Sequence, residues 1–248
     1  MKYFLDIAYK GTHYNGWQKQ PNANTVQSEI ENALKIVFKN ELTTFGSGRT
    51  DTGVHAKQQY VMFETPQVIE KKKILNLNGV LPKDIVVKNI YKVADNASVR
   101  FDALSRSYEY FIHQEVNPFN RETSYYFPKK LDVRLMNEAA QLLLKYKDFE
   151  CFSKVHTEVN TFLCTITVAK FEYKDEYLVF NITANRFLRG MVRAIVGTLL
   201  DVGTYRTSLT EFENIILSKD RKKAGRAAPP EGLFLSKVIF PENYLENI

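Results

Sequence analysis

The sequence predicts an α+β protein built from two similar halves of mixed helix and antiparallel sheet, and three observations carry that prediction. Strand–helix–strand order recurs in both halves of the 248 residues. Two alternating runs, Thr165 to Tyr173 and Tyr177 to Ala184, are split by the turn residues Lys174 and Asp175, which is a hairpin and therefore antiparallel. No residue-level repeat is present, so any duplication is architectural. The length allows one large domain or two modest ones. We place the boundary near Ala103, giving domains 1–103 and 104–248.

In the first half, Tyr3, Leu5, Ile7 and Tyr9 share one face while Asp6 lies on the other, the pattern of a half-buried strand. Gly11 and Gly16 mark a loop. From Thr25, the apolar positions Val26, Ile30, Leu34 and Val37 recur at helical spacing to about Lys39, and Thr25 with Ser28 and Glu29 forms an imperfect N-terminal cap. Strands at Leu42 to Phe45 and Gln59 to Phe63 bracket the polar stretch GSGRTDTGVHA. A helix near Glu70 to Leu77 and a strand at Ile85 to Lys92 complete this half. The second half opens with alternation from Ser107 and continues with a helix through Leu135 to Leu144. The hairpin follows, then helices at Phe187 to about Val202 and Leu209 to Leu217. A basic loop, KDRKKAGRAAPPEG, precedes a last strand at Leu233 to Phe240.

With 44% hydrophobic and 25% charged residues, the composition excludes a disordered or fibrous chain. The 34 Lys and Arg against 28 Asp and Glu give a net charge of +6, a mild pointer to an anionic partner. Cys151 and Cys164 are too few for a disulfide framework and lack the CxxC spacing of zinc or redox sites, which fits a reducing, cytoplasmic compartment. The alternating N-terminus is not that of a secretion signal, and no apolar run approaches the ~20 residues that span a bilayer. His13, His55, His113 and His156 show no i, i+4 pairing, and Cys151, His156 and Cys164 match no zinc spacing, so no metal is expected.

The loop from Gly46 to Ala56 first invites a phosphate-binding reading, but GxGxxG would need glycine where Asp51 stands, and Gly53-Val54-His55 cannot serve as a Walker Gly-Lys-Ser/Thr. What remains is one carboxylate in a tight turn beside Arg49, with flanking glycines leaving room for a bulky substrate. Asp51 is either a nucleophile or base, or an Asx-turn capping its own backbone. A second constellation follows Asn185. At ~100° per residue, Leu188, Val192, Ile195 and Leu199 form an apolar face, and Arg186, Arg189 and Arg193 cluster within roughly 60° on the other side. Gly190 and Gly197 share the arginine side, which points to something bulky against the backbone, either an RNA phosphate or a facing loop, or else to a solvated basic face with glycines for packing. Arg106, Tyr108 and Tyr110 set a cation and aromatics at period two, suited either to stacking a base or to ordinary core.

Gly48-Arg49-Thr50-Asp51-Thr52-Gly53-Val54-His55-Ala56 resembles the GRTDAGVHA signature of the TruA-type tRNA pseudouridine synthases, with Thr52 replacing alanine. The resemblance runs along nearly the whole chain. Tyr9-Lys10-Gly11-Thr12 with Gly16-Trp17-Gln18 is similar to YDGTxYxGWQ, and Arg100-Phe101-Asp102-Ala103 with Arg106 and Tyr108 is similar to RFxA and RxYxY. Phe187 to Arg193 is similar to FLRxMVR, and Ala228-Pro229-Pro230-Glu231-Gly232-Leu233 to APPxGL. Lys10 stands where that family has Asp, Arg186 where it has Gly, and Ala97-Ser98-Val99 where FHA precedes the arginine.

The resemblance implies two α+β halves related by a pseudo-two-fold, with a catalytic cleft between their sheets. It implies isomerisation of uridine to pseudouridine in the anticodon stem-loop of tRNA, at about positions 38, 39 and 40. It further implies Asp51 as catalytic carboxylate, Arg193 as its ionic partner, and Tyr108 stacked on the target base and helping to remove its C5 proton. Arg49 would steer the RNA or hold the flipped nucleotide, and Leu233 would close the pocket. Arg186 and Arg189 add substrate-binding charge. No cofactor and no metal are implied. The partners are tRNA and a second copy in a homodimer, with neither DNA nor a membrane.

Overall fold

The computed structural model describes residues 1–155 and 159–248. His156, weighed above as a metal ligand, lies outside the described residues. The chain divides into two compact units, Met1–Ser105 with Phe234–Ile248, and Arg106–Leu233. This corrects the expected 104–248 domain. The first cut falls close to Ala103, but the segment after Leu233 belongs to the first unit, a long-range return that local patterning cannot reveal.

The first unit contains β1 (Lys2–Tyr9), α1 (Val26–Phe38), β2 (Phe45–Gly46), β3 (His55–Glu64), α2 (Lys73–Val80) and β4 (Ile85–Val93). β1 lies between β3 and β4, antiparallel to both. α1 begins with Thr25, whose side chain accepts from the Ser28 N–H while the Ser28 hydroxyl accepts from the Thr25 N–H, a complete capping box. Its buried stripe, Val26, Ile30, Ala33, Leu34 and Phe38, closes one face of the sheet, with the Phe38 ring 5.9 Å from that of Phe63. α2 starts three residues later than the spacing predicts, and the strand expected from Leu42 is reduced to β2, paired at Phe45 and Gly46 with Met62 and Val61.

β1 is not half-buried. Its second face is covered by the returning segment, where the Phe240 ring lies 5.5 Å from Phe4 and 5.2 Å from Tyr60, and stacks on Tyr244 at 5.0 Å. Asp6 is therefore buried, with Oδ2 accepting from Gln58 Nε2 at 3.0 Å and Oδ1 lacking a partner. Burial raises its pKa against the smaller lowering effects of the Gln58 hydrogen bond and the Lys88 charge. The folded chain thus holds this proton more tightly than the unfolded chain. The resulting penalty is absent below the ordinary carboxylate pKa and grows as pH rises through the raised value. Asp6→Asn should leave stability nearly unchanged at about pH 3 and raise it by on the order of 1 kcal/mol at about pH 7, read from urea unfolding.

The second unit holds β5 (Ser105–His113), which begins at the boundary, then β6 (Tyr125–Tyr126), α3 (Val133–Leu142), β7 (Ile166–Lys174), β8 (Tyr177–Ala184), α4 (Met191–Gly203) and α5 (Leu209–Ser218). β8 lies between β5 and β7, antiparallel to both, and Asp175 takes the left-handed φ of 53° that the tight hairpin requires. α3 is fastened across β7 by Asn137, whose amide donates to the Phe171 carbonyl and accepts the Phe171 N–H. β9 (Leu233–Ile239) then enters the first unit, pairing in parallel with β3 at His55↔Phe234 and Ala56↔Leu235, and β10 (Glu246–Asn247) pairs with β4. Among the described residues no helix is long and apolar enough to cross a membrane, and no three His, Cys, Asp or Glu side chains converge as a metal ion requires.

Candidate active site

The Asp51 turn is held by backbone packed on backbone. A Cβ on Gly11 would sit 2.0 Å from the Val54 carbonyl oxygen, and one on Gly16 would sit 2.7 Å from the Thr50 carbonyl oxygen. Only glycine permits either approach, and Gly16 also takes a φ of +85°. Across these contacts the Trp17 N–H donates to the Thr50 carbonyl at 3.1 Å, and the Gly53 N–H to the Tyr14 carbonyl at 3.3 Å. The turn itself closes through the Val54 N–H donating to the Asp51 carbonyl at 3.1 Å, and Gly53 lies at φ +77°. Asp51 stays half-buried and Arg49 exposed, while Thr50, Val54 and His55 are buried on either side. Among the described residues, and apart from its two chain neighbours, no atom lies within 4 Å of the position a Gly48 side chain would take, which leaves open space beside Arg49.

His55 is core. Its Nδ1 accepts from the Gly11 N–H at 2.9 Å, which leaves the proton of a neutral ring on Nε2, and the ring stacks on Phe234 at 4.5 Å. The histidine of the motif therefore ties the loop's exit to the N-terminal glycines and to β9.

In the second unit Tyr108, half-buried on β5, faces Phe187 edge-on at 5.1 Å. Two residues on, Tyr110 is fully buried and donates to the Pro229 carbonyl at 2.8 Å. Burial holds its pKa well above the ordinary phenol value, so it remains a donor. The two tyrosines thus divide the alternatives, Tyr110 being core and Tyr108 presenting a partly exposed ring.

α4 begins at Met191, not Phe187, with Gly190 as a left-handed N-cap at φ +71°. Arg186 lies in the irregular segment before the helix and Arg189 in a turn closed by the Met191 N–H donating to the Leu188 carbonyl at 3.1 Å, so no helical arginine face exists and Gly190 is a terminus instead of an interior glycine. α4 is instead buried on nearly every side. What presses on Gly197 is protein: a Cβ there would lie 1.8 Å from the Arg226 carbonyl oxygen. The end of the basic loop is laid along α4, with the Gly225 N–H donating to Thr198 Oγ1 at 2.9 Å. The Ala228 N–H donates to the Arg193 carbonyl at 2.9 Å, and Arg193 Nε donates back to the Ala228 carbonyl at 2.6 Å. Arg193 is thereby aimed by the same short segment that Tyr110 grips at Pro229.

Residues 7–102 and 139–241 match the tRNA pseudouridine synthase family. The chain belongs to that family. It is 46% identical over 243 residues to tRNA pseudouridine synthase A of Parabacteroides distasonis, covering 97% of this chain and 96% of the relative. Against the same enzyme of Porphyromonas gingivalis the identity is 43% over 247 residues, 98% of each chain. For Caldicellulosiruptor bescii it is 40% over 239 residues, 95% of this chain and 98% of the relative. As a pseudouridine synthase the protein is an isomerase.

Of the residues singled out in this pseudouridine synthase, Arg49 and Asp51 belong to the first unit, and Tyr108, Arg186, Arg189, Arg193 and Leu233 to the second. Leu233 is buried at the start of β9. Arg186 is half-buried and Arg189 exposed, the latter's carbonyl accepting the Lys154 N–H at 2.9 Å. Tyr108 falls between the two stretches matched to the family. Tyr9, Gln59 and Trp17 are not among the predicted site residues, yet Tyr9 and Trp17 bond Thr50 and Gln59 bonds Gly48, on either side of Arg49. Two glycines closely following a strand are the available signal, because paired close approaches need paired absent side chains. The thiols of Cys151 and Cys164 are buried, and burial pushes them up to about 12 and about 11, far from nucleophilic use.

Proposed function

We propose that this pseudouridine synthase converts uridine to pseudouridine in the anticodon stem-loop of tRNA, at about positions 38 to 40, with Asp51 as the catalytic carboxylate. In this isomerisation the bond from ribose C1′ to N1 breaks, the base turns, and a C1′ to C5 bond forms. The C5 proton leaves and N1 gains one. The reaction is redox-neutral and calls for no cofactor. Asp51 attacks the ribose or the pyrimidine ring, and either route returns a free carboxylate. Arg193 acts as the positively charged partner of Asp51 in the reaction.

Tyr108 stacks on the turned-out base and helps remove the C5 proton. Arg49 holds the RNA strand beside the extruded nucleotide, Arg186 and Arg189 contact phosphates, and Leu233 closes the pocket. The enzyme acts as a homodimer in the cytoplasm. The observation that carries this reading is the Asp51 turn, whose position is set by two glycine backbones and which keeps a half-exposed carboxylate next to an exposed arginine and open space. A glycosidase would also use a carboxylate, but it would use a pair, and the turn offers Asp51 alone.

The test is release of tritium from C5 of labelled uridines in unmodified tRNA. The parent protein should release it without liberating free uracil, and Asp51→Ala should bind tRNA and release none. Free uracil would identify a hydrolase. Silence from the parent with tRNA still bound would identify a binding protein on this scaffold.

A further inference from the structure

Next to the Asp51 turn lies a buried polar network. The Tyr9 hydroxyl, at the end of β1, lies 2.8 Å from Thr50 Oγ1 and 2.9 Å from Gln59 Oε1. Gln59 Nε2 in turn donates to the Gly48 carbonyl at 3.4 Å. Tyr9, Thr50 and Gln59 are 4%, 7% and 0% exposed, so water does not compete for these bonds.

The proton positions follow from valence alone. An amide oxygen can only accept, so the phenol proton points to Gln59, and the phenol oxygen must receive the Thr50 hydroxyl proton. The amide cannot be turned over, because its oxygen would then face the Gly48 carbonyl. The order is Thr50 to Tyr9 to Gln59 to Gly48, a directed chain that leaves the loop at residue 50 and returns to it at residue 48. It closes around Arg49. Thr50 is held a second time through its carbonyl, by the Trp17 N–H at 3.1 Å. Both neighbours of Arg49, Gly48 and Thr50, the latter immediately before Asp51, are thus fixed by groups outside the loop.

We infer that Tyr9 and Gln59 are positioning residues for the reaction, a clamp that sets where Arg49 and Asp51 stand without touching substrate. The inference rests on the assignment of Asp51 as the catalytic carboxylate. A displacement of about 1 Å at a reacting group can cost on the order of 100-fold in rate, whereas Arg49 is one of many cations that hold the RNA, so the network should show itself in turnover far more than in affinity.

Tyr9→Phe removes one oxygen and keeps the ring, and Thr50→Val removes the same bond from the other side at equal volume. Each folded variant should lose about 10- to 100-fold in kcat for tritium release while its Kd for tRNA stays within about threefold of the parent. The double variant should be no slower than the worse single one, because the two changes break one chain. Thr50→Ser, which keeps the hydroxyl, should restore turnover. Parent-level kcat in either folded variant, losses that multiply in the double variant, or a rise in Kd that matches the fall in kcat would each overturn the clamp. Asp51→Asn in the same assay separates the two claims. If it is silent while Tyr9→Phe and Thr50→Val turn over normally, the clamp alone falls. If it turns over normally, the Asp51 assignment falls and takes the clamp with it.

Discussion

Asp51→Asn is expected to lower turnover by at least about 1,000-fold while leaving the fold and tRNA affinity intact. Asparagine matches aspartate in size, shares its tolerance of turn conformations, and offers the same kind of side-chain oxygen to nearby backbone N–H groups. The bond that closes the turn, from the Val54 N–H to the Asp51 carbonyl, is main chain and survives the change. Only the negative charge and its nucleophilicity are lost. The substitution therefore separates a carboxylate that does chemistry from one that merely caps its own backbone. Single-turnover conversion measured alongside tRNA binding decides the matter, and retention of more than about a tenth of the parent rate would make Asp51 a turn former.

The second large effect is structural. Gly197→Ala would place a methyl group 1.8 Å from the Arg226 carbonyl oxygen, inside any permissible contact. Neither side can withdraw easily. On one side is a helix buried on nearly every side, and on the other a segment pinned at Gly225 by Thr198 and at Ala228 by Arg193. We expect a loss of more than about 3 kcal/mol, from overpacking combined with broken hydrogen bonds. Any folded remainder should have reduced activity, since the segment that moves is the one that aims Arg193. Thermal unfolding measures the first effect and tritium release the second. Gly48→Ala, where no atom of the described residues beyond its chain neighbours lies within 4 Å, is the matched control and should leave stability within about 0.5 kcal/mol.

The parts of the fold that were readable in advance are those governed by local pattern. α1, β4, and the β7 and β8 hairpin lie close to where periodicity and turn residues put them, because each announces itself within a short window. The failures have two causes. β1 reads as half-buried only while Phe240 and Tyr244 are out of sight, and the arginine face after Asn185 exists only if the helix begins before Gly190. In both places a distant segment, or a backbone angle that glycine alone favours, overrides the local pattern. The functional loop shows the same division. Its composition marks it as a loop between strands and Asp51 as its one carboxylate. That the glycines needed for its shape lie in another loop, at Gly11 and Gly16, follows only from their contacts.

The return of Phe234–Ile248 to the first unit bears on the order in which a ribosome could let this enzyme assemble. The second unit is one unbroken stretch, able to collapse as soon as it has emerged. The first is made earlier but must wait. Until β9 arrives, the start of β3 at His55 and Ala56 lacks its parallel neighbour, and the face of β1 carrying Phe4 and Asp6 has no aromatic cover. A nascent chain would therefore carry an exposed strand edge directly behind the Asp51 loop throughout synthesis of the second unit, the condition under which chaperone capture or mispairing competes with folding. Catalytic competence would then be acquired only after β9 has been made, well after the rest of the first unit.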